Sequence, residues 1–188
     1  IDDEDKLLKR PSVKGVARAE SISFNYKPTV TLGDKSPVVV GTGPAGLFAG
    51  LVLAELGFKP ILLERGKAVE DRVEDVRRFW EEGLLNTESN VQFGEGGAGT
   101  FSDGKLTTLI KDPRCRKVLE YFVEAGAPEE ILYLNKPHIG TDILRGVVVK
   151  LRERIKSLGG DVCFESKMTN LVIQNGKIKG VEVNNSIQ

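Results

Sequence analysis

The chain has 188 residues, 40% of them apolar, which is enough for one domain with a real core. Its 27 acidic and 27 basic side chains cancel, which argues against a nucleic-acid or anionic-membrane partner. No apolar run approaches the ~20 residues that span a bilayer. The opening IDDEDKLLKR is charged throughout and has no signal-peptide architecture, so the expected compartment is the cytoplasm. Cys115 and Cys163 stand far apart with neither a CxxC nor a metal-ligand spacing; two reduced thiols and no metal are expected. The first residue is Ile and the last residues follow directly on a strand pattern. The sequence therefore reads as a piece of a longer protein, with the missing C-terminal segments as its expected partner.

Residues 1–36 read as a polar, irregular lead-in, the end of a preceding domain, with a short alternating stretch at Ile22, Phe24 and Tyr26. Residues 37–188 read as the main domain. Val38–Val40 is a wholly apolar run, as expected of a strand buried on both faces of a parallel sheet. Pro44–Leu56 carries Leu47, Phe48, Leu51 and Val52 at helical spacing, and Gly57 stops it. A second apolar strand, Ile61–Leu63, ends at Glu64, completing a βαβ unit. Val69, Val73, Val76 and Trp80 then mark an amphipathic helix closed by Gly83. Asp112-Pro113 announces another, with Val118, Leu119, Phe122 and Val123 on its apolar face. Thr141 or Asp142 is the expected cap of a third, with Ile143, Leu144, Val147, Val148, Leu151 and Ile155 on one face and Gly159-Gly160 at its end. The charged runs Glu70–Asp75 and Arg152–Lys156 read as solvated helix faces. Three strand-like runs follow, at 161–165, 170–174 and 177–183, the last two joined by the hairpin signal Asn175-Gly176. The expected class is α/β: a βαβ parallel sheet with helices on both faces, an insertion at about 67–158, and a small antiparallel β-meander.

Gly41-Thr42-Gly43-Pro44-Ala45-Gly46 lies between a strand and a helix, the context that gives GxGxxG its meaning. Gly41 permits the tight turn, Gly43 lets backbone approach a pyrophosphate, and Gly46 removes a side chain where the helix presses on the sheet. A pyrophosphate there would face the N-terminus of the helix. Glu64, 23 residues after Gly41, is placed to accept both hydroxyls of an adenosine ribose and to repel a 2′-phosphate. That points to FAD or NAD rather than NADP. Arg65 reads equally as an adenosine or phosphate contact and as a solvated side chain.

A second glycine-rich stretch, FGEGGAGTFSDGKL (93–106), has five glycines in fourteen positions. A chain that passes close to a flat ligand needs residues without Cβ and free N–H donors. Gly96, Gly97 and Gly99 supply these, with Ala98 among them as a further cofactor-binding candidate, Thr100 and Ser102 as hydroxyl donors and Lys105 as a cation. The alternative is a surface loop with no ligand. The stretch VVVGTGPAGLFAGLVLAELGFKPILLERG resembles the adenosine-binding half of FAD proteins built on the glutathione-reductase plan. FGEGGAGTFSDGKL together with KPHIGTDIL (136–144) is similar to a bacterial family of FAD-dependent, or NAD(FAD)-utilising, dehydrogenases.

The resemblance implies a bound FAD. Its pyrophosphate would lie at Gly41 to Gly46, its ribose at Glu64, its ribityl and flavin beside Gly96 to Thr100, and its adenine near Met168. It further implies a Rossmann-like FAD-binding oxidoreductase of unknown small-molecule substrate, with hydride transfer at the flavin and NADH or NADPH as donor. A nicotinamide-only dehydrogenase and a sensor or scaffold with a structural FAD or NAD are the alternatives. Family members continue into a strand with an Ala-Thr-Gly-like turn, a late Gly-Asp segment and a substrate domain, none of which is in this sequence. His138, the sole histidine, stands in the loop before a helix and is a weak catalytic candidate beside a structural reading.

Overall fold

The computed structural model describes residues 4–9, 26–27 and 35–187. The strand expected at 22–26 falls almost wholly outside them. A short helix α1 (Glu4–Leu8) precedes the main unit. Strands β1 (Val38–Val40), β2 (Ile61–Leu63) and β3 (Asp161–Cys163) form a parallel sheet in the order β1-β2-β3. Val39 lies opposite Leu62, and Leu62 opposite Val162. Helix α2 (Pro44–Glu55) connects β1 to β2. Everything from Glu64 to Gly160 is one long connection between adjacent parallel strands. It holds α3 (Val69–Glu82), a 3₁₀ turn at Ala98–Phe101, α4 (Pro113–Glu124), a second 3₁₀ turn at Glu129–Leu132, and α5 (Thr141–Ser157). Strands β4 (Met168–Gln174), β5 (Lys177–Val183) and β6 (Ser186–Ile187) make a separate antiparallel sheet. The architecture is Rossmann-like with a small antiparallel meander, as the sequence pattern predicts. Asn175 and Gly176 take φ of 52° and 71°, the paired positive values their hairpin needs.

The core lies where α2 and α5 pack on each other and on the sheet: Leu47, Leu51, Leu62, Val147, Leu151 and Ile155 are all buried. Two glycines of α2 set the packing distance. A Cβ on Gly46 would stand 1.9 Å from the Gly41 carbonyl oxygen, and one on Gly50 would stand 2.7 Å from a Leu62 methyl. No side chain fits at either place, so the helix lies directly against the loop and strand that precede and follow it.

Four local expectations need correction. β1 is not buried on both faces: Val38 and Val40 are 43% and 59% exposed, while Val39 packs on the core. β1 is the edge of the described sheet, and Val40 faces a cavity rather than a helix layer. Trp80 is 61% exposed, with its ring edge-on to Phe101, and does not continue the buried face of α3. Arg72 and Asp75 take that face beside Val69 and Val76, so Glu70–Asp75 is not a solvated run; nor is Arg152–Lys156, where Arg152 and Ile155 are buried. The cap of α5 is the Gly140 backbone, with no side-chain cap bond, and the Thr141 hydroxyl instead donates to the Ser102 carbonyl at 2.6 Å. The cap of α4 is as expected: Asp112 accepts from the Arg114 N–H at 2.8 Å.

Replacing Leu51 with Ala at the centre of this core should lower unfolding stability by about 2–5 kcal/mol in urea titration. The same change at Leu109, 98% exposed, should stay within roughly 0.5 kcal/mol.

Candidate functional site

The two glycine loops are joined to each other. The Gly96 N–H donates to the Thr42 carbonyl at 2.9 Å, which ties the middle of the second loop to the first. At Gly97 a Cβ would stand 2.7 Å from Cδ of Pro44, and φ is +74°, so only glycine lets the second loop lie against the first turn of α2. Both loops then line one cavity of about 620 Å³. Val40 and Leu63 supply apolar wall from β1 and β2. Gly41, Gly43 and Pro44 come from the first loop, and Gly94, Gly97 and Ala98 from the second. Glu64, Arg65, Gln92, Phe93, Ser166, Lys167 and Met168 complete the lining.

Gly43 is the informative glycine. Its φ is an ordinary −59°, a Cβ there would meet nothing within 4 Å, and it lines the cavity. Neither backbone strain nor protein packing accounts for the missing side chain; a Cβ would occupy free space beside the cavity. Gly43 is also the N-cap of α2, and no side chain caps that terminus. Its unpaired N–H groups and the positive end of the helix dipole stand at the cavity wall.

Glu64 sits at the end of β2, 3% exposed, with a specific set of partners. Its Oε2 accepts from the Thr42 N–H and the Thr42 hydroxyl, each at 2.8 Å, and its Oε1 accepts from the Gly66 N–H at 2.8 Å. A carboxylate has about four acceptor positions. Protein donors fill three of them here, leaving capacity for one further donor at Oε1. The expectation that Glu64 takes both ribose hydroxyls meets this limit.

The shape of the second loop is set by a buried arginine that the sequence pattern assigned to solvent. Arg72 of α3 is 0% exposed. It donates to the carbonyls of Asn90 at 2.7 Å, Glu95 at 2.9 Å, Gly97 at 3.1 Å and Val91 at 3.3 Å. Burial lowers its pKa to about 10, with Glu64 and Glu95 acting the other way, so it stays cationic at neutral pH. The next anchor is the Glu95 carboxylate. It accepts from the Val69 N–H at 2.7 Å, at the start of α3, and pairs with Arg152 of α5 at 2.9 Å. Burial pushes Glu95 up to about 7, against the lowering pull of the Val69 N–H and Arg152. The signal for Arg72 was present: positions 69, 72 and 76 fall on one stripe of a helix.

Of the residues singled out in the sequence, Gly41, Gly43, Pro44, Glu64, Arg65, Gly97, Ala98 and Met168 line the cavity. Thr42 and Gly96 stand just behind it and bond the two loops together. Ala45, Gly46 and Gly99 are not in the lining. Neither are the three expected polar donors. Thr100 is buried, with its hydroxyl on the Glu95 carbonyl at 3.2 Å; the Ser102 hydroxyl donates to the Gly99 carbonyl at 2.8 Å; Lys105 pairs with Asp103 at 3.1 Å. These groups serve the loop itself. His138 is exposed, outside the cavity, and forms a β-bridge with Lys105. Both cysteines are free thiols; burial raises the pKa of Cys163, with Asp161 adding to the effect. Among the described residues no group of three or more His, Cys, Asp or Glu could hold a metal, and no helix is long and apolar enough to cross a membrane.

No protein-family model matches the chain. An uncharacterised protein of Clostridium beijerinckii is 60% identical over 148 residues, covering 79% of this chain and 28% of its own length. The chain thus spans little more than a quarter of that relative. Among solved structures it is similar to THI4 of Thermovibrio ammonificans, with 17% identity, a TM-score of 0.49, and coverage of 79% of this chain and 47% of that one. It is also similar to a 3-ketosteroid-Δ4-(5α)-dehydrogenase of Rhodococcus jostii, with 16% identity, a TM-score of 0.46, and coverage of 83% and 43%.

Replacing Arg72 with Met should take a donor from four loop carbonyls, of which those of Glu95 and Gly97 keep Thr100 as a partner, and cost on the order of 3 kcal/mol. Limited proteolysis should then cut within residues 86–99 first, while the β4–β5 hairpin stays intact.

Proposed function

We propose that this chain is the dinucleotide-binding portion of an FAD-dependent oxidoreductase. The observation that carries the reading is the shared cavity: two glycine loops, bonded through Gly96 and Thr42, line one cavity together with Glu64. A single adenosine-and-pyrophosphate site needs only the first loop. A second loop fixed beside it, with Phe93, Gly97 and Ala98 on the cavity wall, suits a ligand that extends further.

The residues present fit such a group. The uncapped start of α2 offers N–H donors and a positive dipole end to a pyrophosphate, and Gly43 leaves room for it to come close. Glu64 accepts one ribose hydroxyl at Oε1, and the Thr42 contacts hold the carboxylate in position for it. Met168 and Val40 present apolar surface along the cavity, which excludes water from a flat ring. FAD, when bound, supplies a ring that accepts and returns hydride. NADH or NADPH is the expected reductant of an FAD held here.

Gly43→Val tests the assignment. The new side chain meets no protein atom within 4 Å at its Cβ, so the melting temperature without ligand should hold. FAD affinity by isothermal titration should fall about tenfold or more. Equal FAD affinity in both proteins, or tight binding of NAD with none of FAD, would reject it.

A further inference from the structure

The adenosine end of the cavity carries a charge arrangement that FAD binding does not itself require. Arg65 and Lys167 both line the cavity, and both flank Glu64. Arg65 follows it in sequence. The Ser166 N–H donates to the Glu64 carbonyl at 2.8 Å, which brings Lys167 alongside from the connection after β3. Neither cation is free. Arg65 Nε donates to Glu88 Oε2 at 2.6 Å, and Lys167 Nζ donates to Glu88 Oε1 at 3.0 Å. Arg65 is held further by the Thr87 carbonyl at 3.1 Å and lies 4.7 Å over the ring of Phe93. Glu88 itself stands behind the lining, in the segment between α3 and the second glycine loop. One carboxylate therefore bridges the residues that follow β2 to those that follow β3, beside the cavity.

The charges sum simply. With Glu64 and Glu88 against Arg65 and Lys167, the adenosine end is neutral. A 2′-phosphate added to the ribose would find its two nearest cations already engaged, and the buried Glu64 beside it. We propose that Glu88 is a specificity-determining residue of this site. By holding Arg65 and Lys167 it withholds the cations a 2′-phosphate would need, and so keeps phosphorylated nicotinamide dinucleotides out of the cofactor's seat. This rests on the dinucleotide reading above. It assigns to Glu88 part of the discrimination that the sequence pattern gave wholly to Glu64. Lys167 and Arg65, in that order, hold the Glu88 carboxyl below its usual range, so it stays ionised at neutral pH.

The test uses ADP-ribose and its 2′-phosphorylated counterpart, titrated calorimetrically into the purified chain. The native protein should prefer the unphosphorylated ligand. In Glu88→Gln the preference should shrink by about fivefold, the shrinkage fading as salt rises from low to high ionic strength. Glu88→Asp, which keeps the charge, should restore most of the preference. Lys167→Gln, which removes a cation instead, should widen it. Preference unchanged in both Glu88→Gln and Lys167→Gln, with ADP-ribose still bound, would overturn the role of Glu88 and leave the dinucleotide site standing. Failure of the native chain to bind either ligand would overturn both.

Discussion

The guanidinium of Arg72, buried and bonded to four backbone carbonyls, is the constraint on which the site depends. A loop with positive φ at Gly94, Gly96 and Gly97 has no ladder of its own to satisfy its carbonyls. The arginine supplies donors to four carbonyls of the segment, those of Asn90, Val91, Glu95 and Gly97. With the loop so folded, the Gly96 N–H points at Thr42 and Gly97 fits against Pro44. The second loop is thus a fixed wall of the cavity and not a free surface segment. Glu95 extends the same logic outward, since its carboxylate joins the loop to the start of α3 and, through Arg152, to the middle of α5.

Burying this much charge is unfavourable unless every group is paired. Arg72 meets that condition with carbonyls, Glu95 with an N–H and a guanidinium, and Glu64 with Thr42 and Gly66. Each pairing also fixes a piece of the cavity. Glu64 shows what this costs: the same bonds that hold its carboxylate at the end of β2 leave it a single acceptor position for a ligand. Precision of placement is gained and breadth of contact is lost.

Much of the fold was legible from residues. The βαβ unit follows from two short apolar runs with a glycine-broken helix between them, and the hairpin follows from Asn175-Gly176. Gly46 was readable as a packing glycine because the third glycine of the motif always faces the strand. What could not be read were facts of tertiary pairing. Arg72 and Arg152 stand in charged runs, and composition alone assigns such runs to solvent; only the stripe through Val69 and Val76 hinted at burial. Val40 looks like a strand buried on both faces because valine cannot announce that it borders a cavity. Thr100, Ser102 and Lys105 looked like ligand donors by type, but their partners are loop carbonyls and a neighbouring carboxylate that sequence does not position.

Two glycine loops that line one cavity are read here as serving one ligand. Amide hydrogen exchange with and without saturating FAD tests it directly. If both loops hold FAD, it slows exchange in residues 41–47 and 94–99 together, and NAD, lacking the flavin, slows the first group more than the second. Protection confined to residues 41–47 with FAD would contradict it, and would return the second loop to a purely structural role.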